Sequence, residues 1–141
     1  MHTNTYKYRI YYNFVVGEKK MPVKTTKWKP ENLKTGYIAK WNEYPTDEVK
    51  IRVCRPGPLG TPKDLGKLWT DQKITWDEFE LRYLLHVMMN KKAHQRLMEI
   101  LAMLKEGKTV RLMCYEREAP CHRFTLKNML EVFLDKEGYQ I

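Results

Sequence analysis

No apolar run in this sequence approaches the ~20 residues that a bilayer crossing needs, which excludes a helical transmembrane protein. Cysteine is scarce: Cys54, Cys114 and Cys121 are an odd three, at spacings that make no disulfide framework. That excludes a small secreted scaffold and points to free thiols or site chemistry in a reducing compartment. Glycine is held to seven residues, and neither an internal repeat nor a low-complexity segment occurs. The stretch from Met1 to Arg9 has no apolar core ahead of a cleavage site, so the sequence predicts a cytoplasmic protein with no membrane partner. Helix-turn-helix, zinc-finger and single-strand-binding signatures are all missing. Acidic residues are also in deficit, with 17 Asp plus Glu against 26 Lys plus Arg and a net charge of +9.

What is present reads as one ordinary globule of 141 residues, 43% hydrophobic and 30% charged, with enough chain for a real core. The positive charge favours a phosphorylated small molecule or a nucleic acid as partner. General solubility, or an organism with a basic proteome, accounts for the same charge. The abundance of Lys, Arg and Glu is also compatible with a thermophilic source, where a Cys114–Cys121 disulfide would be admissible.

Tyr6 to Val16 is aromatic and β-branched and predicts a strand, with a turn at Gly17 and a return strand from Met21 to Trp28. This basic β-hairpin extension, residues 1–30, places Lys20, Lys24, Lys27 and Trp28 where nucleic acid could meet lysine and a stacking ring. Edge protection by lysine explains the pattern equally well. Residues 30–46 read as an irregular, packed loop. Val49 to Cys54 alternates apolar and polar and predicts a strand, ended by Arg55-Pro-Gly-Pro-Leu-Gly. Thr61 and Pro62 suit a helix N-cap and first position, opening a short helix to about Trp69. Thr75 and Glu78 form a capping box, followed by a stripe of Trp76, Phe79, Tyr83, Leu84 and Val87. After a break near Asn90, a second stripe of Leu97, Ile100, Leu101 and Leu104 closes at Gly107.

The richest stretch is Thr109 to Phe124. Val110, Leu112 and Met113 form a short strand, a polar loop runs from Glu116 to Pro120, and a helix begins near Cys121 with Leu126, Met129, Leu130 and Phe133 on one face. Strands 49–54 and 109–115 are joined by a long helical crossover, the usual connection of parallel neighbours. If they pair, Cys54 and Arg55 share a sheet edge with Cys114, Glu116, Cys121, His122 and Arg123, where ligands bind in open α/β sheets. A thiol in the first turn of a helix, beside histidine and arginine, also loses its proton more readily than a free cysteine.

Three motifs here resemble a known family. Ile51-Arg-Val-Cys-Arg-Pro-Gly-Pro-Leu, Trp76-Asp-Glu-Phe-Glu-Leu-Arg-Tyr and Leu112-Met-Cys-Tyr-Glu-Arg-Glu-Ala-Pro-Cys-His-Arg are similar, in order, to the domain-of-unknown-function family 488 (DUF488). The third carries its Cys-x-Glu and Cys-His-Arg signature. The similarity runs from about Gly36 to Phe133, giving a family-like core at 36–135. The resemblance implies an α/β sandwich with an enzyme-like pocket and no particular reaction. Cys54 departs from it, because many members have an acidic residue near that position.

The expected architecture is a single α/β domain over 1–141, a small three-layer sandwich with a predominantly parallel sheet and the basic N-terminal β-hairpin. The expected site is an anion or phosphate pocket at the strand ends, with hydrolysis of a nucleotide or nucleic acid as its candidate reaction. In it Arg55, Arg123 and Arg52 clamp an anion, while Cys121, Glu116 and His122 are the candidate nucleophile, acid and base. The eight residues between Cys114 and Arg123 are too many for a phosphatase loop. An ion pair of Glu116 with Arg117, Arg123 or Arg55 is the structural alternative. Cys54 and Cys114 end apolar strands, where cysteine is usually a small buried hydrophobe. Cys54, Cys114, Cys121 and His122 form an acceptable zinc complement, but a closely spaced cysteine pair is missing and adjacent Cys121 and His122 are expected to point apart. No metal and no cofactor is therefore assigned, and the oligomeric state is left open. The alternative function is a non-catalytic nucleic-acid-binding module using its basic surface.

Overall fold

The structure is a computed structural model that describes residues 27–116 and 121–138. Among the described residues, three strands, β1 (Leu33–Tyr37), β2 (Val49–Arg52) and β3 (Val110–Cys114), form an all-parallel sheet in the order β1-β3-β2. Four helices accompany it among the same residues: α1 (Lys63–Thr70), α2 (Trp76–Met89), α3 (Lys91–Lys105) and α4 (His122–Gly138). Short 3-10 segments at Pro30–Asn32 and Ile38–Glu43 flank β1. The α/β class with a parallel sheet is the one that the sequence predicts.

β3 is the middle strand and is almost wholly buried, as a strand covered on both faces must be. Val110, Leu112 and Cys114 alternate onto the face shared with the helices and join one hydrophobic cluster. That cluster takes in Phe79, Tyr83, Leu84 and Val87 of α2, Leu97, Ile100, Leu101 and Leu104 of α3, and Leu126, Met129, Leu130 and Phe133 of α4. The helical stripes read from the sequence are thus the faces that pack. Arg111 and Met113 turn to the opposite face, which the 38–48 segment covers. Gly36 of β1 sits at this closely packed face: a Cβ there would lie 2.7 Å from Met113 Sδ and 2.8 Å from Arg111 Cδ.

The helix ends follow their caps. Thr75 Oγ1 accepts from the Glu78 amide at 3.1 Å, and Asn90 Oδ1 accepts from the Ala93 amide at 3.0 Å, so the break at Asn90 closes α2 and caps α3. Each such cap is worth about 1 kcal/mol. Gly107, at φ +90°, takes the left-handed position after α3.

Two local expectations are corrected. The 30–46 stretch is not merely a loop: it contains β1, whose register runs from Leu33 opposite Val110 to Tyr37 opposite Cys114. The sequence Leu-Lys-Thr-Gly-Tyr hides a strand because only Leu33 and Gly36 are buried. Thr61 does not cap α1, which begins at Lys63 after Pro62 with no side-chain cap. Most of the proposed hairpin, with Lys20 and Lys24, lies outside the described residues. Lys27 and Trp28 are described: the Lys27 amide donates to the Lys105 carbonyl at 3.1 Å, and Trp28 Nε1 donates to Asp135 at 3.1 Å. Among the described residues, no helix is long and apolar enough to cross a membrane.

The polar face of β3 has one strong tie. Arg111 makes a forked pair with Glu48 (2.6 and 2.7 Å), donates to the Thr35 carbonyl at 2.8 Å and lies 4.1 Å over the Tyr44 ring. The Arg111 guanidinium holds the Glu48 carboxyl below its ordinary value of 4.5, against the opposing effect of burial. A depressed carboxyl contributes stability that is present above the unfolded value and lost as pH falls through the folded one. Glu48→Ala is therefore expected to cost about 3 kcal/mol at neutral pH, since it strands Arg111. It should also flatten the acid limb of the stability curve below pH 4.5. Denaturant unfolding across pH checks both, and an unchanged acid limb would show that the pair does not govern acid stability.

Candidate functional site

Parallel pairing delivers the reactive residues to one place. β2 and β3 run in register from Val49 opposite Val110 to Arg52 opposite Met113, and the ladder continues with the Val53 amide donating to the Met113 carbonyl at 2.9 Å. The next residues, Cys54 and Cys114, leave the sheet on the same edge. There they line a cavity of about 710 Å³ together with Arg55, Glu116, Cys121 and His122. This volume is within the usual range of small-molecule sites.

Glu116 is the hub of the floor. Its Oε1 accepts from Cys114 Sγ at 2.9 Å and from Cys121 Sγ at 3.2 Å. Cys121 Sγ is also 3.9 Å from His122 Nδ1. Cys121 lies just before α4 and His122 is its first residue, so the helical rotation that would separate neighbouring side chains does not apply. The expectation that these two point apart is thus corrected. His122 Nε2 is bonded to the Val53 carbonyl, which can only accept. Nε2 therefore carries the proton, and in the neutral ring Nδ1 keeps its lone pair toward the thiols. All three cysteines are free thiols, so Cys114 and Cys121 are not disulfide-bonded.

The thiols differ in acidity. Cys114 is driven well above the ordinary cysteine range, first by its hydrogen bond with Cys121 and then by burial. The same bond pulls Cys121 below its ordinary value, against burial, with help from the Arg123 amide at the helix start. The direction expected for Cys121 thus holds, but its leading cause is the neighbouring thiol rather than the helix end. Burial pushes the Glu116 carboxyl up, but the hydrogen bonds from Cys114 and Cys121 outweigh it and hold it down. Cys54 is raised by burial and by the nearby Cys114, which suits a small buried hydrophobe. Cys114 is also buried, but it shares the Glu116 carboxylate oxygen with Cys121.

The three arginines divide. Arg55 is exposed and lines the cavity. Its loop is folded tightly, with the Gly57 amide bonded to the Cys54 carbonyl and the Gly60 amide to the Gly57 carbonyl, both at 3.0 Å. Leu59 anchors that loop in the core, and its carbonyl accepts from the Tyr83 hydroxyl at 2.5 Å. Arg123 is buried and does not line the cavity; it donates to the Glu116 backbone carbonyl and reaches Cys121 Sγ at 3.6 Å. Arg52 is exposed on β2 and donates from Nη2 to the Tyr115 hydroxyl at 2.9 Å.

The cavity also contains residues that sequence reasoning did not assign to it. Lys63 and Lys67, one turn apart on α1, form a cationic rim in which Lys67 is paired at 3.0 Å with Asp71, also on the lining. Trp69, Trp76 and Phe79 form an aromatic wall: Trp69 meets Trp76 edge-on at 5.1 Å between centroids, and Trp76 stacks on Phe79 at 4.5 Å. Phe79, Tyr83 and His122 continue the series to the floor. The signal was present, since Trp76, Phe79 and Tyr83 share one helical face, but that stripe is equally the pattern of a core.

A family profile described as the active DUF488-N3 subclade, DUF488-N3a, matches residues 39–133. Comparison with curated proteins and with solved structures returns no significant match. The matched span covers β2, β3, α1 to α3, most of α4 and every residue of the cavity, including the Cys-x-Glu and Cys-His-Arg stretch. The chain belongs to the DUF488 family.

Proposed function

We propose that this protein is an enzyme of hydrolytic type whose cavity takes a phosphorylated ligand with a planar ring: a nucleotide, free or within a nucleic acid. One observation carries the reading: an aromatic wall, a cationic rim and a reactive floor share one cavity. A nucleobase stacks on rings regardless of its identity. A phosphate group is met by Lys63, Lys67 and Arg55, and Cys121, Glu116 and His122 form the reacting end at the floor. Arg123 is a positioning residue, since it braces the Glu116 backbone and the Cys121 sulfur from behind. The non-catalytic nucleic-acid-binding alternative rests on net charge alone, and the lysines that would carry it are mostly outside the described residues.

Trp69→Ala is expected to weaken nucleotide binding by the value of one stacking contact, ~1–3 kcal/mol, or roughly 5- to 150-fold. Binding of inorganic phosphate should be unchanged. Calorimetric titration with a mononucleotide, a short oligonucleotide and phosphate separates free from polymeric ligands, and equal nucleotide affinity in wild type and variant would remove the wall from the binding site.

Gly60→Ala tests the rim. Its Cβ would lie 2.6 Å from the Arg55 amide nitrogen and 2.8 Å from the Arg55 Cα, so the loop must shift. The expected result is a loss of phosphate affinity comparable to that of Arg55→Ala, measured in the same titration. Unchanged affinity in both variants would show that Arg55 does not contact the anion.

A further inference from the structure

Cys114 Sγ and a Glu116 carboxylate oxygen come from the end of β3, and Cys121 Sγ and His122 Nδ1 from the start of α4. All four donor atoms lie within 4.8 Å of one another. Cys114, Cys121 and His122 are buried, while Glu116 is exposed at the cavity side.

The spacing suits an ion. A tetrahedral centre with metal–sulfur bonds of ~2.3 Å and metal–nitrogen or –oxygen bonds of ~2.0 Å holds its donors about 3.3–3.8 Å apart. The separations here are 2.9 Å and 3.2 Å from Glu116 Oε1 to the two sulfurs and 3.9 Å from Cys121 Sγ to His122 Nδ1. Movements below ~1 Å would bring the set to that geometry. A second observation is independent of the spacing. His122 donates from Nε2 to the Val53 carbonyl, which is the outer-shell bond that metal-binding histidines make to fix the ring and present the other nitrogen as ligand. Binding would release the protons of the two thiols, and a divalent ion together with Arg123, 3.6 Å from Cys121 Sγ, would then offset the charge of the ligand set.

We propose that Cys114, Cys121 and His122 bind a zinc ion, with Glu116 as a fourth, exchangeable ligand on the side open to the cavity. Two sulfurs with an imidazole favour zinc over magnesium or calcium, which take oxygen ligands. Three buried protein ligands beside one replaceable position is the arrangement of a catalytic rather than a closed structural zinc site. Cys121 then acts by holding the ion and not by attacking the ligand itself. The site goes beyond the nucleotide reading and does not depend on it.

The test is titration of the chelator-stripped full chain, kept reduced, with Co(II) as probe and Zn(II) as competitor. Stoichiometric uptake with a sulfur-to-cobalt charge-transfer band and tetrahedral visible bands is expected, all displaced by zinc. Cys121→Ser and His122→Asn should each lower zinc affinity by more than the ~10–100-fold that outer-shell changes cost. Glu116→Gln should keep the sulfur band and bind less tightly. Cys54→Ser should match wild type, because Cys54 is outside the set. If buried-site variants fail to fold, the wild-type band and the Glu116→Gln and Cys54→Ser results still decide. Absence of a sulfur–cobalt band in wild type, or its loss in Cys54→Ser with retention in Cys121→Ser, overturns the site. Nucleotide binding by the wild-type protein with no uptake of cobalt or zinc would refute this site and leave the nucleotide reading standing.

Discussion

Backbone pairing of β2 with β3 governs where the chemistry of this protein is assembled. Parallel strands end on the same side of a sheet, and the register that sets Arg52 opposite Met113 releases Cys54 and Cys114 together at one edge. Parallel neighbours also require a crossover of a dozen or more residues. Here the crossover contains α1, α2 and α3, and its first two helices supply the cationic rim and the aromatic wall. One constraint thus produces both the floor and the sides of the cavity. An antiparallel pairing of the same strands would send Cys54 to the other end of the sheet.

The floor is held by buried polar bonds that cross between elements. His122 at the start of α4 is tied to Val53 just after β2, Thr125 Oγ1 of α4 to Glu80 of α2 at 2.6 Å, and Tyr83 of α2 to Leu59 in the Arg55 loop. Removing one partner of such a bond strands the other away from water at ~1–3 kcal/mol. The low-dielectric surroundings strengthen each bond while it is made. These ties fix the orientation of the imidazole and place the two thiols against one carboxylate oxygen. They also make Cys114 and Cys121 chemically unequal, since each thiol answers to the other and to the same carboxylate oxygen.

Much of the architecture was legible because it rests on short-range physics. The stripe beginning at Trp76, the break at Asn90, the stripe ending before Gly107 and the apolar face of α4 are all written in local periodicity and capping residues. Strands β2 and β3 were readable from alternation and from the Arg55-Pro-Gly-Pro stop. β1 was not, because Lys34, Thr35 and Gly36 dilute its pattern, and Gly36 is set by contact with Met113 and Arg111 rather than by strand propensity. At the site, Cys54, Arg55, Cys114, Glu116, Cys121 and His122 were correctly gathered into one crevice by the topology alone. Arg123 was gathered too, but its side chain turns inward behind the floor, a direction that sequence spacing does not specify.

From the sequence come the helices, strands β2 and β3, the parallel class of the sheet and the edge at which the candidate site residues collect. Periodicity, caps and the length of the crossover carry that information within a few residues of each position. Tertiary structure alone decided which of those residues touch. It joined Glu116 to both Cys114 and Cys121, set Cys121 and His122 facing the same point, left Cys54 outside that quartet and made a cavity wall from Trp69, Trp76 and Phe79. Such contacts depend on helix placement and side-chain direction to within an ångström or so, and these follow from packing the whole core rather than from any local pattern.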